Sequence, residues 1–330
     1  MMRRVAGAAL RLAALLAVVS AVTFALVAAS PIDPVSTNAG QAAYARMSEE
    51  KREQLRSYWG ADTPALERYV AWAERALHGD LGESLRYNRP VVEVIAERAG
   101  NTLLLMASAW VLSGAVGMAL GVAAGVWRER AVDRLVRAWC FVMSATPAFW
   151  LGLVALMVFS VALGWFPFGF SAPIGVESAA VSWTERLHHL ILPALTLALV
   201  SSGGVALHTR EKVIDVMESD YVRFARSRGE GTAHIVRAHV LRNVALPALT
   251  LQFAQVGEIF GGSVLVEQVF SYPGLGQAAV VAGTGGDAPL LVGIALASAA
   301  IVCAGNALAD ILYGAVDPRM RRGRGWSHGA

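Results

Sequence analysis

Six apolar runs dominate this chain: Leu12–Ala29, Thr102–Val126, Ala138–Gly164, Leu190–Leu207, Ala245–Val269 and Ala288–Gly314, each of 18 to 27 residues. Backbone polar groups in hydrocarbon must be satisfied within the segment, and about 20 helical residues cross a core about 30 Å thick. Each run is long enough, or nearly so, to cross as a helix. The composition agrees, with 55% hydrophobic and only 16% charged residues, where soluble domains carry about 25% charged. The fold class expected is an all-α polytopic membrane protein with six transmembrane helices. Leu190–Leu207 is the weakest span, being short and holding Pro193, Gly203 and Gly204.

Arginine placement sets the orientation. Arg3, Arg4 and Arg11 precede the first run, Arg128, Arg130, Arg134 and Arg137 lie between the second and third, Arg210 to Arg242 between the fourth and fifth, and Arg319 to Arg324 after the sixth. The alternate loops carry Arg186 alone, or no basic residue at all between Phe270 and Asp287. Both termini are therefore expected in the cytoplasm. The first run is longer than the 7–15 residues of a signal-peptide core and reads as a retained span over residues 1–30. Residues 31–100 form an extracytoplasmic segment, helical around Pro64–Leu77, since long loops translocate regardless of charge. Residues 315–330 make a cytoplasmic tail. Trp127, Trp139, Trp165 and Trp183 fall near span ends, as an aromatic belt requires.

The basic balance, net +3, is spread over helix ends and makes no nucleic-acid patch. Cys140 and Cys303 fall inside apolar runs, without metal or disulfide spacing. His188 and His189 read as interfacial beside Trp183. Asp310, near the inner end of the sixth run, reads as structural. Glu267 is open between gate and structural roles.

The cytoplasmic loop, residues 209–245, is too long for a simple connection. Asp220 is expected to cap one short helix, which Gly229 and Gly231 end; Thr232 then caps a second helix carrying Ile235, Val236 and Val240 on one side. Such an element suits insertion into a groove of a cytoplasmic partner, and equally a basic loop lying on anionic lipid.

At this loop the sequence resembles a known family. D-Y-V-R-F-A-R-S-R-G (Asp220–Gly229) and H-V-L-R-N-V-A-L-P (His239–Pro247) are similar to the cytoplasmic loop of ABC-importer permeases of the dipeptide/oligopeptide class. So are G-D-L-G-E-S-L-R-Y-N-R-P-V (Gly79–Val91), G-G-S-V-L-V-E (Gly261–Glu267), Y-P-G-L-G (Tyr272–Gly276) and D-P-R (Asp317–Arg319). The likeness runs from about Gly79 to Arg319, weaker in the first span and at P-I-D-P-V (Pro31–Val35). The family's loop consensus is Glu-Ala-Ala, three residues, then Gly. Here Ala225 and Gly229 hold its third and last places, Arg223 and Phe224 fill the first two, and Glu230 stands where an apolar residue is expected.

What the resemblance implies is a type-1 ABC-importer permease core over residues 101–314, in a prokaryotic cytoplasmic membrane. The chain would pair with a second homologous permease, two ATP-binding subunits and an extracytoplasmic substrate-binding protein. Its ATPase-docking residues would be Arg223, Ala225, Arg226, Gly229, Glu230, His234 and Arg242, with a steric role for Ala225 and Gly229. No G-x-x-x-x-G-K-[ST] occurs, and neither lysine, Lys51 or Lys212, follows a phosphate-binding loop. ATP and Mg would thus be held by the partner subunits, with no cofactor in this chain. The implied cargo is di- and oligopeptides. Nickel, glutathione and other small solutes share this permease type.

In the fifth run Gln252, Gln255, Glu258 and Gly262, with Gly261, recur at three- to four-residue spacing as one polar or small stripe. A mid-helix carboxylate costs about 2.5–3.5 kcal/mol on insertion scales, so the stripe should face protein or water. It is either a translocation surface or glue between helices. Two other function classes fit the chain less well. An ion-coupled secondary transporter calls for paired acidic residues and inverted repeats, of which the chain shows one Glu258 and no repeat. A non-transporting scaffold has no use for a glycine-broken loop.

Overall fold

The computed structural model describes residues 2–30, 32, 37, 46–50, 53, 63–173, 175–176 and 181–316. Side chains are described within these from residue 10 to residue 309. The runs at Pro31–Val35 and Asp317–Arg319, and the side chain of Asp310, lie outside the described residues.

Helix α1 is Met2–Ala29 and α2 Ala65–Leu77; a two-residue hairpin, β1 Glu83–Ser84 and β2 Arg89–Pro90, leads into α3, Val91–Val126. Then come α4 (Ala131–Ala145), α5 (Ala148–Ala155) with a π-helical continuation Leu156–Ala162, and α6 (Trp183–Met217). The remaining helices are α7 (Asp220–Ser227), α8 (Thr232–Ile235), α9 (Leu241–Ala254), α10 (Val256–Val269), α11 (Leu275–Gly285) and α12 (Ala288–Val316), with a π-helical stretch Val236–Val240 joining α8 to α9.

The fold is all-α and polytopic. Among the described residues four segments are each long and apolar enough to cross a membrane: Leu10–Ala29, Val91–Val126, Trp183–Met217 and Ala288–Ala309. Two bent pairs bring the number to six if each is one span: α4 with α5 and its continuation, bent by 103°, and Thr232–Ala254 with α10, bent by 54°. The weak fourth run thus belongs to a 35-residue helix. Its hydrophobic segment is extended by a capping box at Ser182 and Glu185 on one side and by a polar extension to Met217 on the other.

The chain divides into two compact units, residues 1–102 with 273–303, and residues 103–272 with 304–330. In the first, Val91 and Val94 of α3 pack with Leu275, Ala278 and Ala282 of α11 and Leu290 and Ile294 of α12. Asp287, fully buried, fastens the hairpin here. Its carboxylate accepts from Ser84 Oγ at 2.6 Å, from the Arg86 amide at 3.0 Å and from the Leu290 amide at 3.2 Å. Burial pushes this carboxyl above its ordinary range, against the pull of those donors. Asn101 Nδ2 donates to the Pro273 carbonyl at 2.9 Å and the Leu275 amide to Thr102 Oγ1 at 2.8 Å, so α3 fastens the start of α11.

The second unit is organised around α6. Gly117, Gly121 and Gly125 of α3, one every four residues, lie so close to α6 that an added Cβ would stand 2.7 Å from Val205 Cβ, 2.5 Å from Thr209 Cβ and 2.6 Å from Val213 Cβ respectively. Small residues at this spacing let two membrane helices meet backbone to backbone. On the other side of α6, His188 Nε2 donates to the Trp165 carbonyl at 2.9 Å and His189 Nδ1 to the Gly169 carbonyl at 2.7 Å. The two histidines tie down the 163–170 loop.

Candidate functional site

The loop at 209–245 is a small folded body. Val222 and Ala225 of α7 turn inward at i, i+3 spacing onto Val213, Ile235, Val240 and Val244, with Val122 and Val126 of α3 packed against the cluster. The sequence expectation for its caps is off by one residue at each helix. Ser219, not Asp220, stands at the N-cap of α7, and Gly231 at that of α8, with Thr232 already helical; neither cap makes a side-chain bond. Helix α7 ends as the glycine pattern demands. The Gly229 amide donates to the Arg226 carbonyl at 2.9 Å and the Glu230 amide to the Ala225 carbonyl at 3.2 Å, with Gly229 at φ +86°. This is a Schellman closure, which a glycine in the left-handed region permits.

The expected docking residues divide by this geometry. Ala225 is 4% exposed and belongs to the loop's interior. A Cβ on Gly229 would meet nothing within 4 Å, so what its residue type governs is the backbone turn. Both therefore bear on the shape of the loop, and neither presents a side chain at its surface. Arg223, Arg226, His234 and Arg242 are exposed. Glu230 sits between His239 Nε2 at 3.5 Å and His234 Nε2 at 3.6 Å. The sequence reading passed over the face of α7 that projects: Tyr221, Phe224 and Arg228, exposed at i, i+3, i+7, with the Arg228 guanidinium 5.9 Å from the Phe224 ring centre. Two aromatics on the outer face of a helix that already buries Val222 and Ala225 were the available signal.

Beneath the loop, α6 is locked to α4. Asp133, fully buried, accepts from Arg210 Nε at 2.6 Å and Nη2 at 2.8 Å and from the Glu129 amide at 2.9 Å, with Arg137 Nε 3.4 Å away. A bidentate arginine fork with an added amide satisfies a carboxylate withdrawn from water. Arg128 and Glu218 add a second ion pair. Sequence reasoning missed Asp133, although it is the one acid among Arg130, Arg134 and Arg137.

The stripe of the fifth apolar run is not a single face, because the helix bends at Gln255. Gln252, 1% exposed, donates from Nε2 to the Trp110 carbonyl at 2.6 Å and to Ser113 Oγ at 2.7 Å, while Trp110 Nε1 donates to the Gln252 carbonyl at 2.9 Å. Gln252 therefore joins helices inside the unit. Gln255 lies at the bend with its amide against Gly204, where an added Cβ would stand 2.8 Å from Nε2. Gly262 packs on Leu197, whose Cδ1 would lie 2.8 Å from a Cβ there. Glu258 is exposed, on a face of α10 shared with Gly261 and Leu265. Glu267 is fully buried at the Val269 end of α10. Among the described residues no group of histidine, cysteine and carboxylate side chains could hold a metal ion.

Residues 117–322, which include the loop and the bent span, match the model of the family described as binding-protein-dependent transport system inner membrane component. The chain is similar to the oligopeptide transport system permease protein AppB of Bacillus subtilis (strain 168), 36% identical over 305 residues, which is 92% of this chain and 94% of that protein. It is equally similar, 36% over 304 residues with the same shares, to a putative peptide transport system permease protein of Brucella abortus (strain 2308) and to the glutathione transport system permease protein GsiC of Escherichia coli (strain K12). The chain belongs to the binding-protein-dependent transport system inner membrane component family: it is the multi-pass permease subunit of a prokaryotic ABC importer, a membrane component and not an enzyme, working with a substrate-binding protein and an ATPase.

Proposed function

We propose that the chain crosses the membrane six times, each bent pair counting once, with both termini in the cytoplasm, and that it imports di- and oligopeptides. It pairs with a second homologous permease to form the pathway. Two ATP-binding subunits, which hold the ATP and Mg, drive it, and an extracytoplasmic binding protein delivers the cargo. The observation that carries this reading is the preformed loop, whose apolar core leaves Tyr221, Phe224 and Arg228 projecting while its base is fixed to α4 and α6. An aromatic–arginine knob fits the hot-spot composition of protein interfaces. Closure of the ATPases on the knob tilts α6 and the helices clamped to it, opening the pathway to the other side. Glu258, on the exposed face of α10, lines that pathway.

The test is the double substitution Tyr221→Ala/Phe224→Ala in the reconstituted transporter. Losing two aromatic anchors costs about 2–4 kcal/mol of docking energy, enough to abolish binding-protein-stimulated ATPase while the permease still assembles in the membrane. Full stimulation by the double variant refutes the docking assignment. The cargo is decided separately, by screening the partner binding protein with dipeptides, oligopeptides and glutathione. Glutathione is the second reading, favoured by the equal likeness to the permease named for its transport.

A further inference from the structure

Helix α2 carries more apolar surface than the protein covers. One side, Tyr69, Trp72, Ala73 and Ala76, packs on Phe24 of α1 and on Val292 and Leu296 of α12. Tyr69 also meets Ser20 by a 3.0 Å hydrogen bond, and its ring centre lies 5.4 Å from that of Phe24. Next to this packed side stand Leu66, Val70 and Leu77, exposed by 74%, 56% and 88%. At spacings of four and seven residues they fall within about 40° of one another around the helix. Glu67, Glu74 and Arg75 occupy the remaining arc.

Two independent rulers place this helix in depth. At about 1.5 Å per helical residue, Phe24 and Ser20 lie about 8 and 14 Å in from the Ala29 end of α1. Val292 and Leu296 lie about 6 and 12 Å in from the Ala288 end of α12 by the same measure. Residues Leu10–Ala29 make a span of about 30 Å, the thickness of the hydrocarbon core, so its end marks the hydrocarbon boundary. The packed side of α2 is therefore below that boundary, at the level where α1 itself exposes Val22 and Leu26, by 53% and 68%. At the polar edge, Arg68 lies over the Phe24 ring with its Nε buried and without a hydrogen-bond partner.

We propose that α2 is an interfacial helix, sunk beside α1 and α12 into the lipid leaflet at the Ala29 end of α1, with Leu66, Val70 and Leu77 against acyl chains. Such a helix buries its apolar arc about 5–10 Å into the boundary and keeps its charged arc in water. This placement follows from depth alone and holds whichever way the chain threads the membrane.

The test uses the assembled transporter in vesicles of phosphatidylcholine, with Cys140 and Cys303 replaced and single cysteines carrying a fluorophore at positions 66, 70, 77 and, as the water-facing reference, 74. Phosphatidylcholine brominated on its acyl chains is expected to quench the probes at 66, 70 and 77 about threefold more than the probe at 74, with the reverse order for aqueous iodide. Equal iodide quenching at all four positions overturns the proposal. So does protection of 66, 70 and 77 that requires the binding protein, which would make the stripe a protein-docking face. If a label at 66 or 70 prevents assembly, position 77, the last residue of the helix and the most exposed of the three, decides between these outcomes.

Discussion

Two helices of the second unit are broken in the middle, and they are broken by different causes. The 103° turn between α4 and α5 falls at Pro147. Thr146 just before it takes the extended conformation, φ −92° and ψ 120°, that a residue preceding proline prefers. Thr146 Oγ1 donates to the Val142 carbonyl at 2.7 Å, occupying a backbone acceptor that the break would free. The 54° turn between α9 and α10 has no proline at the break. There the Gln252 carbonyl, whose helical partner would be the Val256 amide, receives the indole N–H of Trp110 instead. One bend is written in neighbouring residues and the other by a residue 142 positions away. A bend of the second kind depends on where α3 holds Trp110.

The sharpest way to break this comparison is at Trp110. Trp110→Ala removes the donor to Gln252 and the ring that packs 4.7 Å from Phe253, at an expected cost of about 3–5 kcal/mol for a large-to-small change in a packed interior. Trp110→Phe keeps an aromatic ring but removes the N–H and part of the indole's packing, for about 1–2 kcal/mol. Both are expected to straighten the α9–α10 joint, read as a lengthened spin-label distance across it, and to leave the α4–α5 distance unchanged. A joint still bent by 54° in Trp110→Phe would show that the bend is local after all. Gln252→Leu is the milder partner. It deletes two interhelical hydrogen bonds but also a buried Oε1 that has no partner, so its net cost in thermal unfolding is expected near ~1 kcal/mol.

The same division explains what could be read from the sequence. Hydropathy marked the six runs, because a lipid-crossing segment must be apolar whatever it packs against. It could not say which run is straight. Pro147, Pro193 and Pro247 all fall within the apolar runs, yet α6 runs on through Pro193 and α9 through Pro247. Around Pro193 the neighbours Leu192 and Ala194 are 5% and 2% exposed, and tertiary packing overrides the proline. Pro147 is exposed, and the local rule wins there. The polar stripe of the fifth apolar run divides between two helices for the complementary reason: its residues share a face only on an unbroken helix, and the break lies where Trp110 takes the Gln252 carbonyl. In the loop at 209–245, the glycine that closes α7 was legible from φ preference alone. The burial of Ala225 needed Val213, Val240 and Val244, which the sequence does not place beside it.

Pro147→Ala is the gentlest substitution and tests the local half of the comparison. The backbone at 147, φ −63° and ψ 135°, is open to alanine, so the folded state loses no contact of consequence at an exposed position. The unfolded chain gains freedom, which predicts a stability loss of only about 0.4–1 kcal/mol. The conformational effect should be larger than that figure suggests. Once the restriction on Thr146 is lifted, the 146–147 link can sample helical angles, and spin labels placed on α4 and α5 should report a broadened distance distribution extending towards a straighter pair. The α9–α10 joint, held by Trp110, should show none of this broadening. An unchanged, narrow α4–α5 distribution would mean that the sharper of the two bends is also imposed by packing, and the distinction between a written bend and a contact-made one would collapse.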